Sequence, residues 1–260
     1  MAKKQDRYAV GIDIGGTGIK GGLVDLKKGR LVGERKKRKT PPGAPIDAVI
    51  AAVVKVYEEI LAQDEAAGLD PAVGLCMPSV MRHGVSYTAA NIDEAWIGFN
   101  ARDAFTKAIG KPVSLVNDAD AAGYGEVRYG EAADDLGSVL VLTLGTGIGS
   151  ALIHGGRLFP NTELGHLELN GKPDYERYAS AKARERENLS FEAWGERLTP
   201  YFRHLEAVIQ PDEFIVSGGI SKQADEFLYL IDIKTPVKVA KLKNNAGIIG
   251  AALLGAEGWD

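Results

Sequence analysis

Two short stretches of this chain repeat one another. Thr17-Gly18-Ile19-Lys20-Gly21-Gly22-Leu23-Val24 and Thr146-Gly147-Ile148-Gly149-Ser150-Ala151-Leu152-Ile153 share four of eight positions, 129 residues apart in a chain of 260. A solenoid repeats every 20–50 residues or so, whereas a period of half the chain implies two copies of one folding unit. In each copy a glycine turn separates two segments rich in β-branched residues. Residues 8–14 and 19–25 flank Gly15-Gly16-Thr17-Gly18, and residues 138–144 and 148–154 flank Gly145-Thr146-Gly147. Both arrangements predict a hairpin.

The remaining pattern alternates helix and strand, which predicts an α/β fold. Residues 31–39 form a third strand, stopped by Thr40-Pro41-Pro42-Gly43-Ala44-Pro45. Residues 46–67 carry a helical apolar period through Val49, Val53, Val56 and Ile60. Strands at 73–77 and 113–116 alternate with helices at 102–109 and 118–128. In the second half, helices at 175–187 and 191–209 precede strands at 213–216 and 237–242, and a last helix starts near Ala246.

Composition excludes several classes. Cys76 is the only cysteine, so neither a disulfide framework nor an all-cysteine zinc site is available. No apolar run approaches ~18 residues, and the polar start MAKKQDR lacks the apolar core of a signal peptide. A cytoplasmic protein with no membrane association is expected. Net charge is −4, yet residues 27–39 hold eight cations against Glu34 alone, an excess of seven. A solvated, lysine-guarded strand edge explains this run, as does a surface for a polyanion. Charge alone favours the edge.

Glycine numbers 32 of 260, about 12% against a usual 7% or so. Glycine lets backbone approach an anion, and successive N–H groups in a turn make a cationic nest. One such turn reads as a plain hairpin, but two related ones favour phosphate binding by Gly15, Gly16, Thr17, Gly145, Thr146 and Gly147, with Thr143 on the preceding strand. A third cluster, Ser217-Gly218-Gly219, follows a strand and opens a helix, which suits either a nucleotide or a tight turn. The Walker and dinucleotide glycine patterns and the protein-kinase motif set are missing.

These residues resemble a known group. Gly11-Ile12-Asp13-Ile14-Gly15-Gly16-Thr17, Leu142-Thr143-Leu144-Gly145-Thr146-Gly147-Ile148-Gly149 and Ser217-Gly218-Gly219 are similar to the phosphate-1, phosphate-2 and adenosine motifs of the actin-like ATPase superfamily. Asn117-Asp118 and Glu163-Leu164-Gly165-His166 narrow the resemblance to the ROK sugar kinases. Thr40-Pro41-Pro42-Gly43, residues 163–169 and residues 245–252 resemble its polyphosphate glucokinase and glucomannokinase branch. The resemblance implies a duplicated, ribonuclease H-like fold of two domains around a central cleft, residues 1–116 with 246–260 and residues 117–245. It also implies phosphoryl transfer from inorganic polyphosphate, ATP or both to O6 of glucose, with mannose an alternative acceptor, in a homodimer. A strictly ATP-dependent kinase of another hexose and a non-catalytic sugar-binding regulator are the competing readings.

Such transfer needs a base at the acceptor hydroxyl and cations around the phosphoryl group. Alone, Asp118 reads as a helix cap; beside the phosphate turns it is the expected base, with Asn117 on sugar hydroxyls. Glu163 and His166, three residues apart, suit adjacent hydroxyls of one sugar ring, and Glu168 is a further candidate. Asp13 is expected to orient Mg²⁺ through water. Lys20 reads either as a phosphate contact or as a solvated strand lysine. Many ROK chains follow this histidine with a cysteine-rich zinc loop, whereas here His166 leads into Leu-Glu-Leu-Asn-Gly-Lys-Pro. No zinc is therefore expected, and the charged segment 174–187 is expected to fill that space. The first strand begins within about eight residues of Met1, so a DNA-binding domain, and with it a nucleic-acid partner, is not expected.

Overall fold

The computed structural model describes residues 4–131 and 137–259. The chain forms two compact units, Met1–Gly125 with Asn245–Asp260, and Glu126–Asn244. In the first lie β1 (Tyr8–Ile14), β2 (Gly18–Asp25), β3 (Arg30–Lys39), α1 (Ile46–Leu61) and β4 (Ala72–Met77). A small hairpin follows, β5 (Met81–Arg82) with β6 (Val85–Ser86), then α2 (Ala101–Ile109) and β7 (Val113–Asn117). Helix α3 (Asp118–Tyr129) crosses the division. The second unit holds β8 (Ser138–Leu144), β9 (Ile148–His154), β10 (Arg157–Phe159), α4 (Glu176–Ala179), α5 (Ala181–Glu187), α6 (Phe191–Ile209), β11 (Glu213–Ser217) and β12 (Val237–Val239). The chain then returns to the first unit as α7 (Ala246–Glu257).

The two sheets have one topology. The first runs β3-β2-β1-β4-β7 and the second β10-β9-β8-β11-β12. In both, an antiparallel meander occupies one side and parallel strands the other. Ile14 pairs with Ile19 across the first glycine turn and Leu144 with Ile148 across the second. The duplication read from Thr17 and Thr146 is thus a duplication of whole sheets, with the first turn one residue longer. Strand β10, the counterpart of β3, carries no sequence signal beyond three residues.

Burial explains the elements. Helix α1 turns Val49, Val53, Val56 and Ile60 into the core beside Ile12, Ile19 and Leu75, as the helical period requires. Helix α7 is apolar on every side and buried from Ala246 through Leu254. It lies so close to the sheet that a Cβ on Gly11 would fall on the Ile248 carbonyl, and one on Gly74 on the Ala251 carbonyl. These two glycines serve helix–sheet packing. In the second unit Trp194, Tyr201 and Phe202 of α6 pack with Phe214 and Phe227, and the Trp194 Nε1–H donates to the Ala179 carbonyl at 2.8 Å. Among the described residues no helix is long and apolar enough to cross a membrane.

Several elements differ from the sequence expectation, three of them in length or continuity. The helix expected over 46–67 ends at Leu61, and a 3₁₀ turn, Asp64–Ala66, follows. The helix expected over 175–187 divides at Ser180, whose Oγ accepts from Ala183 N at 3.1 Å and starts α5 afresh. The strand expected over 237–242 stops at Val239. The backbone N–H groups of Lys241 and Leu242 donate instead to the Glu126 carboxylate, at 3.0 and 2.7 Å. That carboxyl is lifted by burial, against the opposing effect of those same amides.

Candidate active site

In the first unit the parallel strands β1, β4 and β7 bring Asp13, Cys76 and Asn117 to one sheet edge, with Asp13 beside Cys76 in register. The carboxyl ends of parallel strands are the usual ligand side of such sheets. Asn117 caps α3: its Oδ1 accepts from Ala119 N at 2.8 Å and Asp120 N at 3.2 Å, and its Nδ2 donates to the Ser79 carbonyl. The cap role is thereby filled by Asn117, and Asp118, half-buried, begins the helix proper. Burial above all raises the Cys76 thiol, and the charges of Asp13 and Asp118 raise it further. Asp13 Oδ2 lies 3.1 Å from Lys20 Nζ on the neighbouring strand.

The Gly15–Gly18 turn lies directly beyond. Gly15 N donates to the Gly18 carbonyl at 3.0 Å, and Gly16 and Thr17 are exposed. The Thr40 hydroxyl donates to the Gly15 carbonyl at 2.5 Å, and Thr40 N to the Thr17 carbonyl at 3.3 Å, so the end of β3 is fastened to this turn.

In the second unit, Gly145 N donates to the Gly147 carbonyl at 3.0 Å, and a Cβ on Gly145 would meet nothing within 4 Å. Thr146 is exposed, and Thr143 pairs in register with Ser217 of β11. Gly218 (φ +93°) leads into a kinked 3₁₀ segment, Gly219–Glu226, where the sequence suggests an ordinary helix. Residues 163–166 form a 3₁₀ turn against β9. The buried Ser150 accepts from Leu164 N at 3.1 Å and donates to the Thr162 carbonyl at 2.7 Å. A Cβ on Gly165 would strike the Ile148 carbonyl, so only glycine lets the turn lie this close to the β8–β9 hairpin. Glu163 Oε2 lies 3.5 Å from His166 Nε2. Glu168 is exposed and, among the described residues, carries no hydrogen bond or ion pair.

A family model described as the ROK family matches residues 9–193. The chain belongs to the ROK family. Polyphosphate glucokinase of Mycobacterium tuberculosis (strain CDC 1551 / Oshkosh) is 47% identical to this ROK chain over 249 residues, covering 95% of it and 91% of the relative. Inorganic polyphosphate/ATP-glucomannokinase from Arthrobacter sp. strain KM, a crystal structure, is 50% identical with a TM-score of 0.91, over 96% of this chain and 99% of that one. A ROK family glucokinase from Streptomyces griseus, solved with glucose and AMPPNP, is 26% identical with a TM-score of 0.80, over 95% and 98% of the two chains. The two sheets thus belong to the actin-like fold of ROK sugar kinases.

The ROK motifs do not contain every residue that shapes the second unit. Glu176 Oε2 accepts from Ile148 N at 2.9 Å, Lys182 N donates to the Gly145 carbonyl at 3.0 Å, and Asp174 Oδ1 lies 3.0 Å from His166 Nδ1. The segment 174–187 therefore holds the Gly145–Gly147 turn and the histidine together. Its charged composition marks it as unusual, but no local pattern singles out Asp174 or Glu176.

Proposed function

We propose that this chain phosphorylates O6 of glucose, using inorganic polyphosphate, ATP or both as donor. The observation that carries the reading is Asp118, placed one residue beyond β7 at the edge that also bears Asp13 and the Gly15–Gly18 turn. Asn117 holds the amides of both Ala119 and Asp120 while Asp118 Oδ1 accepts from its neighbour Ala119 N at 2.9 Å, and Asp118 accepts the acceptor hydroxyl's proton as general base. The two glycine turns receive donor phosphates, Ser217, Gly218 and Gly219 the adenosine end of ATP, and Asn117, Glu163 and His166 the sugar hydroxyls, with Glu168 at their margin. Mannose is a second acceptor to test. A coupled assay with glucose, comparing ATP and polyphosphate as donors, tests the reading, and no product from polyphosphate rejects that donor.

Among the described residues no group of three or more His, Cys, Asp or Glu is placed to hold a metal ion. That donor set suits Mg²⁺ carried largely by water and donor phosphates, with Asp13 as the protein's carboxylate. Bound there, Mg²⁺ neutralises charge on the transferred phosphoryl group. The enzyme is expected in the cytoplasm as a homodimer, which light scattering checks.

A carboxylate only accepts hydrogen bonds, so Asp174 favours a proton on His166 Nδ1 and fixes how the ring is turned, with Nε2 3.5 Å from Glu163 Oε2. Asp174→Ala is expected to raise the KM for glucose about tenfold, while the KM for the donor changes less than about twofold. Asp174→Asn, which keeps a carbonyl acceptor, falls between; steady-state kinetics on both substrates decides. Burial lifts the Glu163 carboxyl above its usual 4.5, with His166 opposing and Glu176 reinforcing the shift. On acidification Glu163 takes up a proton earlier than a free glutamate and stops accepting from the sugar. The acid limb of kcat/KM for glucose therefore lies above pH 4.5, and Glu163→Gln flattens it at a lower plateau. For stability the same shift favours the protonated folded form. Its contribution is complete below pH 4.5 and fades as pH rises through the raised value.

A further inference from the structure

Strand β3 is the edge of the first sheet and carries Arg30, Arg35, Lys36, Lys37, Arg38 and Lys39. Strand alternation sorts the last five of these onto opposite faces. On the face covered by α1, Arg38 pairs with Glu59 and Lys36 with Glu34. On the other face stand Arg35, Lys37 and Lys39, all exposed. Register ties this second set to the phosphate turn: Asp13 pairs with Lys20, Lys20 with Lys37, and Gly18 with Lys39. Residues directly opposite on neighbouring strands share a face. Arg35 Nη1 reaches the Asn245 side-chain oxygen at 3.1 Å, on the side occupied by α7. Among the described residues no carboxylate pairs with Arg35, Lys37 or Lys39.

We propose that Lys20, Lys39, Lys37 and Arg35 form a track for the polyphosphate chain, leading away from the Gly15–Gly18 turn along the outer face of β3. Guarding a strand edge needs charge on either face, but here one face is neutralised and the other is left positive. From Lys39 to Arg35 the strand covers about 13 Å, with a cation every second residue. A linear anion with a charge on every phosphate unit meets each of these cations along its length; a nucleotide triphosphate is too short to use the far end. Thr40, fastened to Gly15 and Thr17, fixes where the track meets the turn.

The inference rests on polyphosphate being a donor, so the test begins with wild-type turnover on glucose using ATP, tripolyphosphate and long-chain polyphosphate. The triple variant Arg35→Ala, Lys37→Ala, Lys39→Ala is expected to lose about 100-fold in kcat/KM for the long chain, about fivefold for tripolyphosphate and less than twofold for ATP. The log–log salt dependence for the long chain should flatten by roughly 2, about 0.7 per cation removed. Lys37→Arg with Lys39→Arg should retain wild-type donor preference. Equal losses with ATP and polyphosphate would overturn the track. So would unchanged polyphosphate kinetics in a variant that loses affinity for single-stranded DNA, which would make the face a nucleic-acid surface. If wild type itself makes no product from polyphosphate, the donor reading falls, and the track with it.

Discussion

Asp118→Asn removes the base and keeps the shape, so kcat falls by about 10²- to 10⁴-fold while glucose still binds. Calorimetric titration with glucose beside the coupled assay checks both halves of that result. The substitution leaves α3 intact, because Asn117 Oδ1 holds Ala119 N and Asp120 N, and an asparagine at 118 keeps a side-chain oxygen for the bond that Asp118 Oδ1 accepts from Ala119 N. A fall in turnover therefore reports chemistry, and unchanged turnover rejects Asp118 as the base. A loss of glucose binding equal to the loss of rate would instead make it a binding group, because uniform binding does not set kcat.

The largest expected effect on stability is at Gly74, far from any motif. Its added Cβ would land on the Ala251 carbonyl and lie 3.1 Å from Gly255 N, both main-chain atoms of α7 with no rotamer to give way. Gly74→Val is expected to cost about 3 kcal/mol or more, lowering Tm by roughly 6–12 °C. Gly145→Ala is the comparison. It adds a methyl where nothing lies within 4 Å, so Tm should hold to within about 2 °C. Thermal unfolding of the two variants measures the contrast, and equal shifts would refute the close packing of α7 on β4.

These two glycines show how far the sequence carries. Gly74 lies inside a strand and Gly145 just beyond one, and the absence of a side chain at either leaves room for a close neighbour. The structure gives Gly145 to an open hairpin turn and Gly74 to a helix. A missing Cβ signals that something comes close, but what comes close is set by a segment 177 residues away. Asn117 and Asp118 follow the same logic. Either residue can cap a helix; Ala119 N donates to both, and the bond from Asp120 N to Asn117 Oδ1 assigns the duty to Asn117.

What the sequence determined by itself is local or periodic: the half-length repeat, the hairpins around both glycine turns, the amphipathic face of α1, and an aspartate where a strand meets a helix. Each follows from side-chain spacing along one segment, which fixes strand and helix faces without reference to the rest of the chain. The tertiary structure decided what depends on residues far apart. Glu126 ends β12 by taking amides 115 and 116 residues away. Asp174 settles on His166, and Glu176 on Ile148. The excess of seven positive charges was legible from the start, but its meaning was not. Glu59 of α1 neutralises Arg38 and Glu34 pairs with Lys36, which leaves Arg35, Lys37 and Lys39 as a positive face joined to the Gly15–Gly18 turn. Charge count is a property of composition, whereas the face a charge occupies and the acid beside it are properties of packing.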